Sequence, residues 1–200
     1  WMLLSYGKKV SVSSSLEGYP AENIVDEDAR TAWVAQSNRD MEWAQVDLQR
    51  LSSIHAIQVN FDEYGANQKG AVSGVYQSYL IYASVNGEDW SLVVDYGTKK
   101  TDTPHDYIEF EEPFKARYIK LQNKEYTVSE NFSVRDLRIF GKGQGSTPRA
   151  VNDFTVERDE ADPCKARLCW EAVPDAQGYI VRYGIAGDKL YNNFQVMGEN

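Results

Sequence analysis

Asp26, Glu27 and Asp28 stand consecutively in the stretch "IVDEDARTAW", which continues through Thr31 to Trp33. Carboxylates crowded in this way have three readings. Asp26 and Asp28 could be an acid and base pair, but residues two apart in one turn point similar ways. A glycosidase pair must flank a cleft from opposite sides, about 5 Å or more apart. An EF-hand loop fails as well, since Arg30 occupies the third ligand position and Thr31 the place of the invariant glycine. The third reading is a solvated acidic turn.

Other chemistry-bearing types are sparse. The two histidines, His55 and His105, lie far from Cys164 and Cys169, so no zinc framework follows. Five residues of extended chain would hold the two cysteine α-carbons roughly 16 Å apart, beyond disulfide reach. "KARL" between them suggests no turn, and free thiols are expected. A Gly-rich phosphate loop and a nucleophile elbow are both missing, so no enzyme active site is expected within these residues. "NFS" at Asn131 would be a glycosylation acceptor only in a eukaryotic secretory host.

The elements that must carry these residues are strands. In "HAIQVNF" Ile57, Val59 and Phe61 share one face, and "RYIKLQ" repeats the alternation with Ile119 and Leu121. "AQVDL" turns Val46 and Leu48 inward, and "QSYLIYASV" does the same with Tyr79, Ile81, Ala83 and Val85. Short strands parted by polar turns predict an antiparallel sandwich or barrel. The 200 residues carry a net charge of -9, a field that repels nucleic-acid phosphates. No run approaches the roughly 18 apolar residues of a membrane helix, so membrane insertion is not expected either. "WMLLSYGKKV" lacks the pattern of a signal peptide, and a chain opening on Trp1 is expected to be a piece of something longer. "GKGQGSTPRA" has the composition of a flexible connection. It sets the predicted boundaries: a domain over 1–142, a linker over 143–150 and a second unit over 151–200.

The first domain resembles the discoidin (coagulation factor 5/8 type C) family, including carbohydrate-binding module family 32. The resemblance rests on "PAENIVDEDARTAW", "EWAQVDL", "YLIYASVNGEDW", "ARYIKLQ" and "VRDLRIFG". It implies an all-β fold, a jelly-roll β-sandwich. In carbohydrate-binding members the first signature wraps a structural calcium ion. The resemblance then implies Asp26 and Thr31 as side-chain ligands, Asn23 and Asp28 through carbonyl or side-chain oxygen, and Asp136 closing the site from the last strand. Calcium's taste for six to eight oxygens in irregular loops agrees. Glu27 stands where relatives keep glycine, a departure that matters if the turn needs positive φ. "LCWEAVPDAQGYIVRYG" resembles two strands of a fibronectin type III module, of which residues 151–200 would be about half.

Family members that bind sugars do so with loops at one end, where aromatic faces stack on rings and polar groups bond hydroxyls. The matching loops are "AQSNRDME", "DEYGANQKGAVSGVYQ" and "KEYTVSENFS". They offer Tyr64, Tyr126 and Phe132 as aromatics, with Arg39, Asn67 and Asn131 as polar partners. Phe132 leads, being placed where galactose-binding members carry a stacking aromatic; its other reading, a residue capping the core, stays open. Galactose specificity is not expected, because "DEYG" replaces the loop that supplies those members with an Arg. Trp33, Trp43 and Trp90 belong to framework motifs and are expected in the core; His105 is expected in a surface loop.

The domain order resembles the C-terminal accessory region of secreted bacterial glycoside hydrolases. The opening "WMLLSYGKKVSVSSSL" looks like the junction after the catalytic domain in family 43 enzymes, which act on xylan and arabinan. The expected partners are therefore a plant-type polysaccharide and the parent's own catalytic domain, with secretion or a periplasmic or cell-surface location. Adhesion of the animal discoidin type fits less well, since those members present apolar spikes and these loops are polar.

Overall fold

A computed structural model describes residues 1–66, 74–143, 149–174, 176 and 178–197, and the chain divides into two compact units, residues 1–144 and 145–200. Residues 144–148 of the predicted linker lie outside the described residues.

The first unit is the expected β-sandwich. Its strands are β1 (Met2–Leu3), β2 (Lys9–Val12), β3 (Trp33–Val34), β4 (Trp43–Phe61), β5 (Gln77–Ser84), β6 (Ser91–Tyr96), β7 (His105–Tyr126) and β8 (Ser133–Gly143), with a 3-10 helix at Ala21–Val25. All neighbouring pairs are antiparallel, in the order β1-β8-β4-β7-β5-β6, while β2 adds to β4 and β3 to β8.

Two strands serve both layers. Residues 44–47 of β4 pair with β2 and residues 43–47 with residues 118–122 of β7; residues 52–61 pair with β8 and residues 52–60 with residues 105–116 of β7. The register shifts between Asp47 and Ser52 and again between Ile54 and Ala56, and Gln49 sits at φ 65° in the first break. Such bulges bend a strand and raise its twist, which lets one strand pass from layer to layer. Gly141 of β8 lies against the second break, where a β-carbon would stand 2.0 Å from the Ser53 carbonyl oxygen. Only glycine admits that approach.

Alternation places the core as expected at Val46, Leu48, Ile57, Val59, Phe61, Tyr79, Ile81, Ala83, Ile119 and Leu121, all buried. Val85 is the exception at 55% exposed, because the chain has already entered the Asn86-Gly87 turn. There Asn86 Oδ1 accepts bonds from the Glu88 and Asp89 amides, 2.9 Å each. Trp33 fills the centre with no exposed surface, and its Nε1 donates to the Ser14 carbonyl at 2.9 Å. Trp43 and Trp90, expected in the core, lie half-buried on the outer surface instead.

The second unit holds two antiparallel ladders, β9 (Thr155–Arg158) with β10 (Ala166–Cys169), and β11 (Gly178–Tyr183) with β12 (Asn192–Met197). Trp170 packs against Phe154 at 6.4 Å and edge-on against Tyr179 at 5.2 Å. Cys164 and Cys169 are exposed and unpaired.

Candidate functional site

The acidic turn follows the 3-10 helix and closes on itself. Asp26 Oδ1 accepts the Asp28 amide at 2.9 Å, and Asp26 Oδ2 accepts the Thr31 hydroxyl at 2.7 Å. The Asp28 carbonyl lies 3.0 Å from the same hydroxyl. Three oxygens from Asp26, Asp28 and Thr31 are thus gathered within hydrogen-bonding distance, the donor chemistry a hard cation takes. The Asp28 carboxylate turns away to Arg30 at 2.8 Å, and the guanidinium bonds hold it down to about 2. Of its two candidate oxygens only the carbonyl faces the cluster. Asn23 Nδ2 donates to the Ala32 carbonyl at 2.8 Å, tying the 3-10 helix to the start of β3 and leaving its amide oxygen as acceptor.

Asp136 is 8% exposed, and one of its carboxylate oxygens accepts Asn60 Nδ2 at 2.8 Å across the β4–β8 ladder. It shares a face of β8 with Arg138, whose guanidinium reaches both oxygens of Glu27 at 2.8 and 3.0 Å. β8 packs on the 3-10 helix, so Asp136 stands on the strand that borders the acidic turn. Glu27 has φ 61°: the turn does require the left-handed region, and Glu27 meets that demand without being glycine. Among the described residues no three His, Cys, Asp or Glu side chains come close enough to hold a metal by themselves. A cation here would rest on at most two carboxylates, Asp26 and Asp136, with a hydroxyl, carbonyl oxygen and an amide.

The ligand loops do converge at one end of the sandwich. Asn38 Nδ2 donates to the carbonyls of Tyr126 and Ser129 at 3.1 and 2.9 Å, and the Phe132 amide donates to Ser37 O at 2.9 Å. Asn123 Nδ2 returns bonds to the Asn38 and Arg39 carbonyls at 2.8 and 2.9 Å. The Tyr126 hydroxyl donates to Asp62 O, bringing in the third loop, and the Asp62 carboxylate pairs with Arg135. Glu42 braces the first loop: burial works against its charge, yet hydroxyls of Ser13, Ser37 and Ser14 bring it below the usual carboxylate range.

This geometry removes two of the expected ring platforms. Phe132 has no exposed surface; it packs edge-on against Trp33 at 5.8 Å and Tyr126 at 5.4 Å. β3 and the 35–37 segment cover it, since Ala35 N donates to Phe132 O at 2.8 Å. Tyr126 is 2% exposed, with burial driving its hydroxyl pKa above the ordinary tyrosine range. Both are core residues and cannot face a sugar ring. Tyr64 remains half-buried, its ring edge-on to Tyr19 at 4.9 Å. Tyr19 escaped sequence reasoning because the 13–20 segment carries no family ligand motif; only the fold brings it to this end. Arg39 is exposed, and Asn67 lies outside the described residues. Asn131 Nδ2 donates to Ala35 O at 2.9 Å and Ser133 is fully buried, so the "NFS" acceptor is closed in the folded chain. His105 opens β7 rather than a loop, 3.1 Å from Asn60 Oδ1.

No helix among the described residues is long and apolar enough to cross a membrane. Chitosan-binding module 1 of a chitosanase/glucanase from Paenibacillus sp. IK-5 superposes with a TM-score of 0.59 at 20% identity, over 70% of this chain and all of that one. The family 32 carbohydrate-binding module of Clostridium perfringens NanJ, solved with galactose, gives 0.52 at 19% identity, over 66% and 91%. Lactadherin of Rattus norvegicus is 33% identical over 110 residues, 52% of this chain and 25% of its own length. The chain spans about a quarter of the curated relatives it matches. The F5/8 type C domain model matches residues 9–137, and with that match the chain belongs to the F5/8 type C (discoidin) domain family.

Proposed function

We propose that this chain is a non-catalytic module that holds a polysaccharide through the loops at one end of its sandwich. The observation that carries the reading is the half-buried Tyr19–Tyr64 pair: the Leu16 amide ties the Tyr19 segment to the Val34 carbonyl of β3 at 2.8 Å, and the Tyr126 hydroxyl of β7 holds the Tyr64 loop at Asp62 O. An aromatic pair on a preorganised frame gives a sugar ring an apolar face with little ordering cost. The structural neighbours support the class, one being a chitosan-binding module and another solved with galactose. The ligand we propose is plant-type polysaccharide of the xylan or arabinan class, and the parent a secreted bacterial glycoside hydrolase. Asn23, Asp26, the Asp28 carbonyl, Thr31 and Asp136 would hold a calcium ion, which supplies positive charge to a turn rich in carboxylate.

Retention on an immobilised polysaccharide panel tests this. Tyr64→Ala is expected to abolish retention with its melting temperature unchanged. Phe132→Ala is expected to lose about 3–5 kcal/mol of stability instead, as a buried aromatic does. A Tyr64→Ala protein that binds as tightly as the parent overturns the loop site.

A second reading has the sandwich brace the parent's catalytic domain without touching sugar. It is favoured by the outer face of the other layer, where Tyr107 is 51% exposed beside Phe140 and Trp1, 48% exposed, stacks on His55 at 4.9 Å. Blank glycan arrays, together with a catalytic domain destabilised when this chain is removed, would establish it.

A further inference from the structure

The layer β2-β4-β7-β5-β6 turns a second surface outward, and no loop of the proposed site shares its residues. The ladders set three rows across it: Trp43 beside Gln122 and Leu80, Gln45 beside Lys120 and Tyr82, and Asp47 beside Tyr118. Their strand neighbours Ala44, Val46, Ile119, Leu121 and Ile81 point into the core, so these side chains face out, and all are half-buried. Trp90, arriving from the β5–β6 turn, joins them against Tyr118 at 6.5 Å.

Lys120 is the centre of this face. Its Nζ stands 3.8 Å from the Trp90 ring centroid and 5.3 Å from that of Trp43. Its cross-strand neighbours, Gln45 and Tyr82, are uncharged, and among the described residues it has no carboxylate partner. By contrast Arg117, at the break in register next to Tyr118, is already neutralised by Asp47 at 2.8 and 2.9 Å. Burial alone moves the Lys120 pKa, and it moves it down. An ammonium held among indoles and left without a counter-ion is unusual in a chain of net charge -9 with 30 carboxylates to choose from. The rings attract it, at about 0.5–2 kcal/mol, but a cation over a ring keeps its remaining N–H donors free.

We propose that this sheet face, centred on Lys120 between Trp43 and Trp90, is a second saccharide-binding surface, specific for the uronate residues of an acidic polysaccharide. The charge complementarity selects the ligand. A sugar carboxylate takes the Lys120 ammonium, the pyranose C–H face lies on indole, and the Gln45 and Gln122 amides serve hydroxyls. A neutral glycan would satisfy the rings and leave the charge unanswered; a simple anion would do the reverse.

Isothermal titration of the full chain with a galacturonate hexasaccharide, beside a galactose hexasaccharide, tests the surface. The acidic oligomer is expected to bind, more weakly as salt rises, and the neutral one to lose at least tenfold in affinity. Lys120→Gln is expected to cost about tenfold or more toward the uronate and to erase the salt dependence, while Lys120→Arg keeps both. Trp90→Ala should weaken the same ligand, and Tyr64→Ala should leave it untouched, which separates this surface from the loop site. Unaltered uronate affinity in a folded Lys120→Gln protein overturns the proposal, as does its loss in Tyr64→Ala. No response to the hexasaccharide beside capture by anionic lipid vesicles overturns it equally.

Discussion

Glu27 shows what a single residue can decide. Spacing in the sequence could raise the question of positive φ, and the structure answers it at 61°. What spacing could not reveal was Arg138, 111 residues away, whose bidentate grip offsets the strain by binding the acidic turn to β8. Phe132 teaches the converse. An aromatic just ahead of the last strand reads equally as platform or core until the 35–37 segment is known to lie over it. The acidic turn itself carries a direct test. Chelation is expected to lower the melting temperature, since a cation binding only the folded state stabilises it, and Asp26→Ala should abolish that response. A melt indifferent to both chelator and substitution would sink the cation.

At the scale of elements, alternation was legible wherever one face met the core, as in Ile57-Val59-Phe61 and Ile119-Leu121. It was not legible that "WAQVDLQRLSSIHAIQVNF" is one strand, β4, because a bulge interrupts the period of two that identifies strands. The same blindness misplaced Trp43, whose face only the register shows, whereas Trp90 stands in the turn between β5 and β6, outside any strand. Gly141 of β8 is the weak point beside the second β4 bulge. Gly141→Ala is expected to push the Ser53 carbonyl aside and cost about 2 kcal/mol or more, seen as a lower denaturant midpoint. An unchanged midpoint would mean that the bulge yields freely.

Across the whole molecule the two units differ in how much they bury. The sandwich draws all its strands from residues 2–143, whereas the second unit leaves Val156, Ile180 and Phe194 at 54%, 43% and 64% exposed. A chain ending after Gly143 is therefore expected to keep the main calorimetric transition at its original temperature. A fall of more than a few degrees would assign the second unit a share in the stability of the first. The pairing of Met2 with Gly141 and Leu3 with Phe140 has a further consequence, for synthesis rather than stability. An edge strand made first waits for the last strand of the sandwich, and residues 52–61 of β4 have only β7 beside them until β8 is present. The nascent sandwich must leave the ribosome with its aromatic centre uncovered, which places its slowest folding step, and its greatest exposure to aggregation, after residue 141 has emerged.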